Sequence, residues 1–245
     1  MGELDGKTAI VTGASQGIGR SIALKFGQLG ANVVCTARST DALNKLVEEL
    51  DGMGARGLVV TADLASEDDI RRIASDAKSE FGRIDILVNN GAIIHPMLEL
   101  SEFDMALWKE VIAVNLTAAA ILTQAVLPSM TENHFGKIVN ISSIGGRKGG
   151  KGRSAYRAAK AGLISLTESV AAEVKKHGVD VNCICPGGVG TEGYRAAFGD
   201  EAADDPTMME ANEIAEVAAF LVSSRGSAVT GAIIDAFGGT NPLFR

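Results

Sequence analysis

Thr8-Ala-Ile-Val-Thr-Gly-Ala-Ser-Gln-Gly-Ile-Gly19 changes character halfway along. Its first five residues are apolar and β-branched, the composition of a short buried parallel strand. Gly13, Gly17 and Gly19 follow, and then Ile22, Ala23, Phe26 and Leu29 recur at helical spacing until Gly30 stops the pattern. A strand, a glycine-rich turn and a helix N-terminus aim unpaired backbone N–H groups and the positive end of the helix dipole at a phosphate. Three glycines suit three demands: a tight turn, close backbone approach to a pyrophosphate, and close packing of helix on strand. By itself the loop also suits a plain strand-to-helix turn. Its spacing is Thr-Gly-x-x-x-Gly-x-Gly rather than G-x-G-x-x-G.

The same alternation runs outward from this stretch. A second apolar strand over Asn32–Ala37 should lie beside the first in a βαβ unit. Helical patterns at 41–53, 66–81 and 101–130 alternate with strand patterns at 57–62, 84–88, 136–141 and 179–184. That order predicts an α/β fold, a Rossmann-type doubly wound parallel sheet of about seven strands with helices on both faces. The 245 residues show no repeat or linker and suit a single domain, 1–245.

Composition excludes some functions. A net charge of −7 argues against a nucleic-acid surface, which needs a basic domain. No leader opens the chain and no apolar run approaches the roughly 18 residues of a membrane span, so a soluble, cytoplasmic protein without membrane contact is expected. Three cysteines do not suggest a disulfide framework. Cys183 and Cys185 alternate with Val181 and Ile184 as core residues, not in metal-ligand spacing, and no metal is expected.

Strand ends should converge on one cleft, because ligands of open α/β sheets bind outside the carboxyl ends of the strands. Asp63 and Leu64 follow the third strand, where they could bound an adenine. Asn90 and Gly91 follow the fourth. An acid about 20 residues past the glycine loop would bond the 2′-hydroxyl of NAD, whereas an arginine accommodates the 2′-phosphate of NADP. The second strand ends in Ala37, Arg38 and Ser39, which favours NADP(H). Asn115 is a polar amide within an apolar helix and needs partners, which could be purely structural. Tyr156 and Lys160 stand four residues apart at the start of a helix, on one face. A tyrosine of pKa about 10 becomes useful in proton transfer when a cation such as Lys160 stabilises its phenolate.

This ordered set resembles the short-chain dehydrogenase/reductase family, in pattern close to its 3-oxoacyl-carrier-protein reductase-like members. The matching residues are Thr12-Gly13-x-x-x-Gly17-x-Gly19, Asp63, Asn89-Asn90-Gly91, Asn115, Ser143, Tyr156-x-x-x-Lys160, Pro186-Gly187-x-Val189-x-Thr191, Thr230-Gly231 and Gly238-Gly239. The resemblance implies that Tyr156 is the general acid or base. Lys160 would lower its pKa and hold the nicotinamide ribose, and Ser143 would stabilise the substrate oxygen. Asn115 would kink its helix and order a water leading from Lys160 to solvent. Gly13, Ser15, Gln16, Gly17, Ile18, Gly19, Arg38, Ser39, Asp63, Leu64, Asn90, Gly91, Tyr156, Lys160, Pro186, Gly187, Val189 and Thr191 would contact the cofactor. An NADP(H)-dependent reductase of a 3-oxoacyl thioester or similar ketone follows; an NAD-dependent dehydrogenase of a secondary alcohol, sugar or steroid uses the same residues. The resemblance also implies a homotetramer or homodimer, built on the helices around 101–130 and 154–177, with the C-terminal strand and its preceding helix as a second interface.

Three departures limit the transfer. Gly91-Ala92 reverses the family's usual Ala-Gly, Arg157 adds a charge after the tyrosine, and Ala236-Phe237 stands where an apolar-Asp pair is usual. A short lid is expected around 192–207. Arg147, Lys148, Lys151 and Arg153 form either a solvated loop or a basic rim that attracts an anionic substrate such as a phosphopantetheine thioester. His95 is expected to face the pocket without a catalytic role, and the tail 242–245 to dock on a neighbouring subunit.

Overall fold

The computed structural model describes residues 2–238; Gly239 of the C-terminal motif and the tail 242–245 lie outside the described residues. Seven parallel strands form one sheet in the order β3-β2-β1-β4-β5-β6-β7. They are β1 Thr8–Thr12, β2 Asn32–Ala37, β3 Gly57–Thr61, β4 Ile86–Asn89, β5 Gly136–Ile141, β6 Val179–Pro186 and β7 Ile233–Ala236. The order reverses between β1 and β4, which opens a crevice at the carboxyl edge beside the glycine turn.

Helices are α1 Gly17–Gln28, α2 Thr40–Gly52, α3 Glu67–Phe81, α4 Met105–Ile112, α5 Ala118–Glu132, α6 Ile144–Arg147, α7 Ser154–Val174, α8 Glu192–Phe198, α9 Asp200–Ala203 and α10 Ala211–Val222. In β1, Ala9 and Val11 pack with Ile22 and Phe26 of α1, Leu46 of α2 and Ile214 of α10. Ile10, pointing the other way, packs with Ile73 of α3, Leu122 of α5 and Val170 of α7. Alternation along a doubly buried strand thus builds two cores, and the apolar run of β1 serves both.

The structure adjusts several boundaries. The third strand stops at Thr61, the fourth runs from Ile86 to Asn89, and the sixth continues to Pro186. Asp85, expected within the fourth strand, is instead a buried anchor before it: its carboxylate accepts from the Thr8 backbone N–H at 3.0 Å and from Arg83 Nε at 2.9 Å. The expected helix over 101–130 is two helices joined by a π-turn at Ala113–Thr117. Part of the expected loop before Tyr156 is the short helix α6.

The expectation that no apolar stretch approaches the length of a membrane span is corrected. The continuous helical stretch Met105–Glu132 contains a window of mean hydropathy 1.8, enough by length and composition to cross a membrane. The polar residues Asn115, Thr117, Thr123 and Gln124 break up the apolar run, yet 111–128 carries no charged side chain, so its mean hydropathy stays high. One side of the stretch, including Leu122, Val126 and Met130, packs on the sheet.

Candidate active site

The glycine turn owes its shape to contacts no side chain would allow. Gly13 has φ of 65°, and a Cβ there would come within 2.8 Å of the Gly91 Cα. A Cβ on Gly19 would stand 2.3 Å from the Gly13 carbonyl oxygen, so α1 presses directly onto its own turn. The turn is clamped to β4: Asn90 Nδ2 donates to the Thr12 carbonyl at 2.8 Å, while Thr12 Oγ1 accepts from the N–H groups of Asn90 and Gly91, each at 2.9 Å. The Asn90 amide is therefore occupied in holding two strand ends together. Helix α1 starts without a side-chain cap and with no acid in its first turn, leaving its first N–H groups and dipole toward the crevice.

That crevice is a cleft of about 720 Å³. Gly13, Ser15, Gln16, Gly17 and Ile18 line one end, with Arg38, Ser39, Asp63 and Leu64 beside them. Asn90, Gly91, Ser143, Tyr156 and Lys160 line the middle, and Pro186, Gly187, Val189 and Thr191 the far wall. Two of the expected residues are not in the wall: Gly19 packs behind the turn, and Asn115 lines a separate small cavity. Arg38 is exposed at the end of β2. Thr191 caps α8 by accepting from the Tyr194 N–H at 3.2 Å, so the far wall and α8 share a residue.

Helix α7 carries Tyr156 and Lys160. A buried chain of amides and hydroxyls fixes it to the sheet: Asn89 Nδ2 donates to Asn140 Oδ1 at 2.8 Å, Asn140 Nδ2 to Thr167 Oγ1 at 2.9 Å, and Thr167 Oγ1 to the Leu163 carbonyl at 2.8 Å. Ser142 Oγ adds a bond to the Lys160 carbonyl at 2.8 Å. Ser143 caps α6, its Oγ accepting from the Gly145 N–H at 3.0 Å. His95, expected in the pocket wall, is 1% exposed and packs edge-on against Phe103. Its Nδ1 bonds the Pro96 carbonyl at 2.6 Å and its Nε2 accepts the Tyr156 backbone N–H at 3.3 Å. A carbonyl can only accept and an amide N–H only donate, so the ring carries its proton on Nδ1. His95 thus caps the helix that carries the tyrosine.

Lys160 is 2% exposed. Its Nζ donates to the Ile141 carbonyl at 2.7 Å and lies 5.8 Å from the Tyr156 ring centroid. Burial pushes its pKa down to about 8, against the attraction of nearby Cys183 and Cys185. Burial pushes the Tyr156 phenol up, while the Ser143 hydroxyl and the charges of Arg153 and Arg157 pull it back. Asn115 sits inside the π-turn, as a kinked helix requires. Both ends of its amide are used on one residue, Oδ1 accepting from the Ile93 N–H at 2.7 Å and Nδ2 donating to the Ile93 carbonyl at 2.9 Å. A cavity of about 10 Å³ between Asn115, Thr12 and Lys160 is close to the minimum for one water.

Of the departures, Gly91 admits Leu64, whose Cδ1 would lie 2.4 Å from a Cβ there. Arg157 bonds the Lys148 carbonyl. Asp235, on β7 rather than after it, pairs with Arg147 at 3.0 Å. Sequence reading did not separate Arg153, which lines the cleft, from its solvated neighbours. Its burial depends on Ala197 and Phe198, distant in sequence, and no local signal marks it.

A glycine turn at a topological switch point, with a serine, a tyrosine and a lysine along the same cleft, defines the class of nicotinamide-dependent α/β oxidoreductases. Residues 7–202 match the family described as short chain dehydrogenase, and the chain belongs to the short-chain dehydrogenase/reductase family, whose members act on CH–OH and C=O groups with NAD or NADP. Similar proteins include oxidoreductase UcpA of Salmonella typhimurium, 38% identical over 248 residues covering 94% of this chain and 93% of that one. The 3-oxoacyl-[acyl-carrier-protein] reductase FabG of Pseudomonas aeruginosa is 36% identical over 244 residues, covering 96% and 98%. Among solved structures, a 7α-hydroxysteroid dehydrogenase complexed with NADH and 7-oxo glycochenodeoxycholic acid superposes with a TM-score of 0.90 at 32% identity, covering 96% and 94%. Levodione reductase gives 0.88 at 28%, covering 95% and 96%.

Proposed function

We propose that this chain is an NADP(H)-dependent oxidoreductase that reduces a 3-oxoacyl thioester or a similar ketone. The observation that carries the reading is the convergence of Ser143, Tyr156 and Lys160 on the cleft that begins at the uncapped end of α1. Those free N–H groups suit a pyrophosphate. Arg38, exposed and without an acid at position 37, suits a 2′-phosphate. Bound NADPH supplies the hydride. Tyr156 delivers a proton to the carbonyl oxygen as the alcohol forms, and Ser143 donates a hydrogen bond to that oxygen. Lys160 spends one N–H on Ile141 and keeps two for ribose hydroxyls. Pro186, Gly187, Val189 and Thr191 orient the nicotinamide end, and 192–207 closes over substrate. We further infer one catalytic domain, 1–245, at work in the cytoplasm.

A second reading, an NAD-dependent dehydrogenase of a secondary alcohol or steroid, is favoured by the likeness to a hydroxysteroid dehydrogenase that binds NADH. Fluorescence titration with NADPH and NADH separates the two: tighter NADPH supports the first, and tighter NADH overturns the Arg38 argument. In Tyr156→Phe, cofactor binding should persist while turnover falls by about 10²- to 10⁴-fold. Full activity in that variant would remove Tyr156 from the chemistry.

A further inference from the structure

Four cations lie between Ser143 and Tyr156, and the fold gives them different surroundings. Arg147 pairs with Asp235 at 3.0 Å, Lys151 pairs with Glu99 at 2.8 Å, and Lys148 is exposed. Arg153 alone of the four is buried, at 6% exposure. Its guanidinium lies over the Phe198 ring, 4.5 Å from the centroid, and Nη2 reaches the Ala197 carbonyl at 3.4 Å. Among the described residues, Nε and Nη1 have no hydrogen-bond partner. The ionisable groups facing it are Tyr156, Arg157 and Tyr194, with no carboxylate among them. A buried cation left unpaired is costly, and a cation beside a second arginine more so. The side chain nevertheless lines the substrate end of the cleft, between the lid residues Tyr194 and Phe198 and the tyrosine.

We propose that Arg153 receives a carboxylate of the substrate, so that the ketone taken by this site is a short oxo acid. The proposal rests on the ketone-reductase reading and narrows it. A guanidinium pairs more strongly with a carboxylate than with a neutral acceptor. Arg153 is the N-cap residue of α7, three residues before Tyr156 in its first turn, and both side chains line the same cleft. The anion it meets therefore belongs a few bonds from the carbonyl that Tyr156 protonates. The phosphate of a carrier thioester, at the far end of a long arm, does not fit that requirement. The exposed Lys148 and the paired Arg147 and Lys151 are left as a rim.

The test compares one skeleton in three forms: 3-oxobutanoate, its methyl ester and its N-acetylcysteamine thioester, each with NADPH. The wild-type enzyme should favour the acid over the ester in kcat/KM. Arg153→Met should lower that acid-to-ester ratio by about 100-fold, and Arg153→Lys by less. A wild-type enzyme that prefers either neutral form, or a ratio unchanged in Arg153→Met, overturns the proposal. Binding is read separately, as thermal protection of the NADPH-loaded protein by butanoate against butanamide. Protection by butanoate alone supports the Arg153 site even if no ketone is turned over, in which case it is the reductase reading that fails. Equal effects of the two overturn the site whatever the kinetics, and this comparison needs no variant to fold.

Discussion

Lys160 holds its charge against its surroundings, and that has a consequence for stability. Its folded pKa, about 8, lies below the 10.5 of an exposed lysine. Between those values the unfolded chain binds the proton and the folded one does not, so this group makes stability rise with pH from about 8 to 10.5. Below 8 the burial penalty is complete, about 3 kcal/mol from the size of the shift. Lys160→Met should remove this dependence. Relative to wild type, the variant should be most favoured at pH 7 and lose about 3 kcal/mol of that relative advantage by pH 10.5, read from urea unfolding at both. A difference that stays flat across the window would show that Lys160 does not titrate there. The pair Tyr156 and Lys160 could be read from their spacing. The roles of His95 and Arg153 could not, because each depends on chain distant in sequence: Phe103 and the α7 terminus for one, Ala197 and Phe198 of α8 for the other.

At the scale of elements, the stretch from Thr8 to Gly19 stated its own structure. Its residues pack by alternation, and Gly13 and Gly19 occupy places where a Cβ collides with backbone. Gly19→Ala is the direct test, since the new methyl must displace the Gly13 carbonyl from 2.3 Å. The turn would open, and NADPH affinity should fall by at least about tenfold, the scale of a single lost close contact. An unchanged dissociation constant by fluorescence would mean that the turn tolerates the shift and that the α1 terminus is not where the pyrophosphate lies. Other elements were less legible for physical reasons. The start of β4 is hard to place because Ile84 and Asp85 look like strand residues, and the Asp85 N–H does bond Thr8 of β1, but the Ile84 N–H turns to the Ser129 hydroxyl of α5. The π-turn has no local composition of its own; it becomes visible through Asn115, whose amide must reach Ile93.

For the whole molecule, the composite helix Met105–Glu132 poses the remaining problem. Its most apolar window has a mean hydropathy of 1.8, but only 44% of that window is buried. The sheet covers Leu122 and Val126, whereas Met105 is 54% exposed and Ile112, Leu116 and Ile121 are half-buried. Beside it, α7 presents Ala161 and Ile164 outward, so two neighbouring helices share an apolar outer face. Exposed apolar faces of this kind mark an interface, and a second copy offers the same helices in return, the self-complementary arrangement of a two-fold dimer. The edge strand β7, half-buried at Ile233 and Ile234, gives a second surface that could join dimers into a tetramer. Light scattering should therefore give two or four times the 25.4 kDa of the chain. Melting temperature should fall on dilution, since assembly adds to the stability of the folded state by mass action. A particle of one chain, melting at the same temperature at all concentrations, would leave the outer face of α4, α5 and α7 to some other cover. Recovery of the protein in the membrane fraction would identify the lipid surface as that cover.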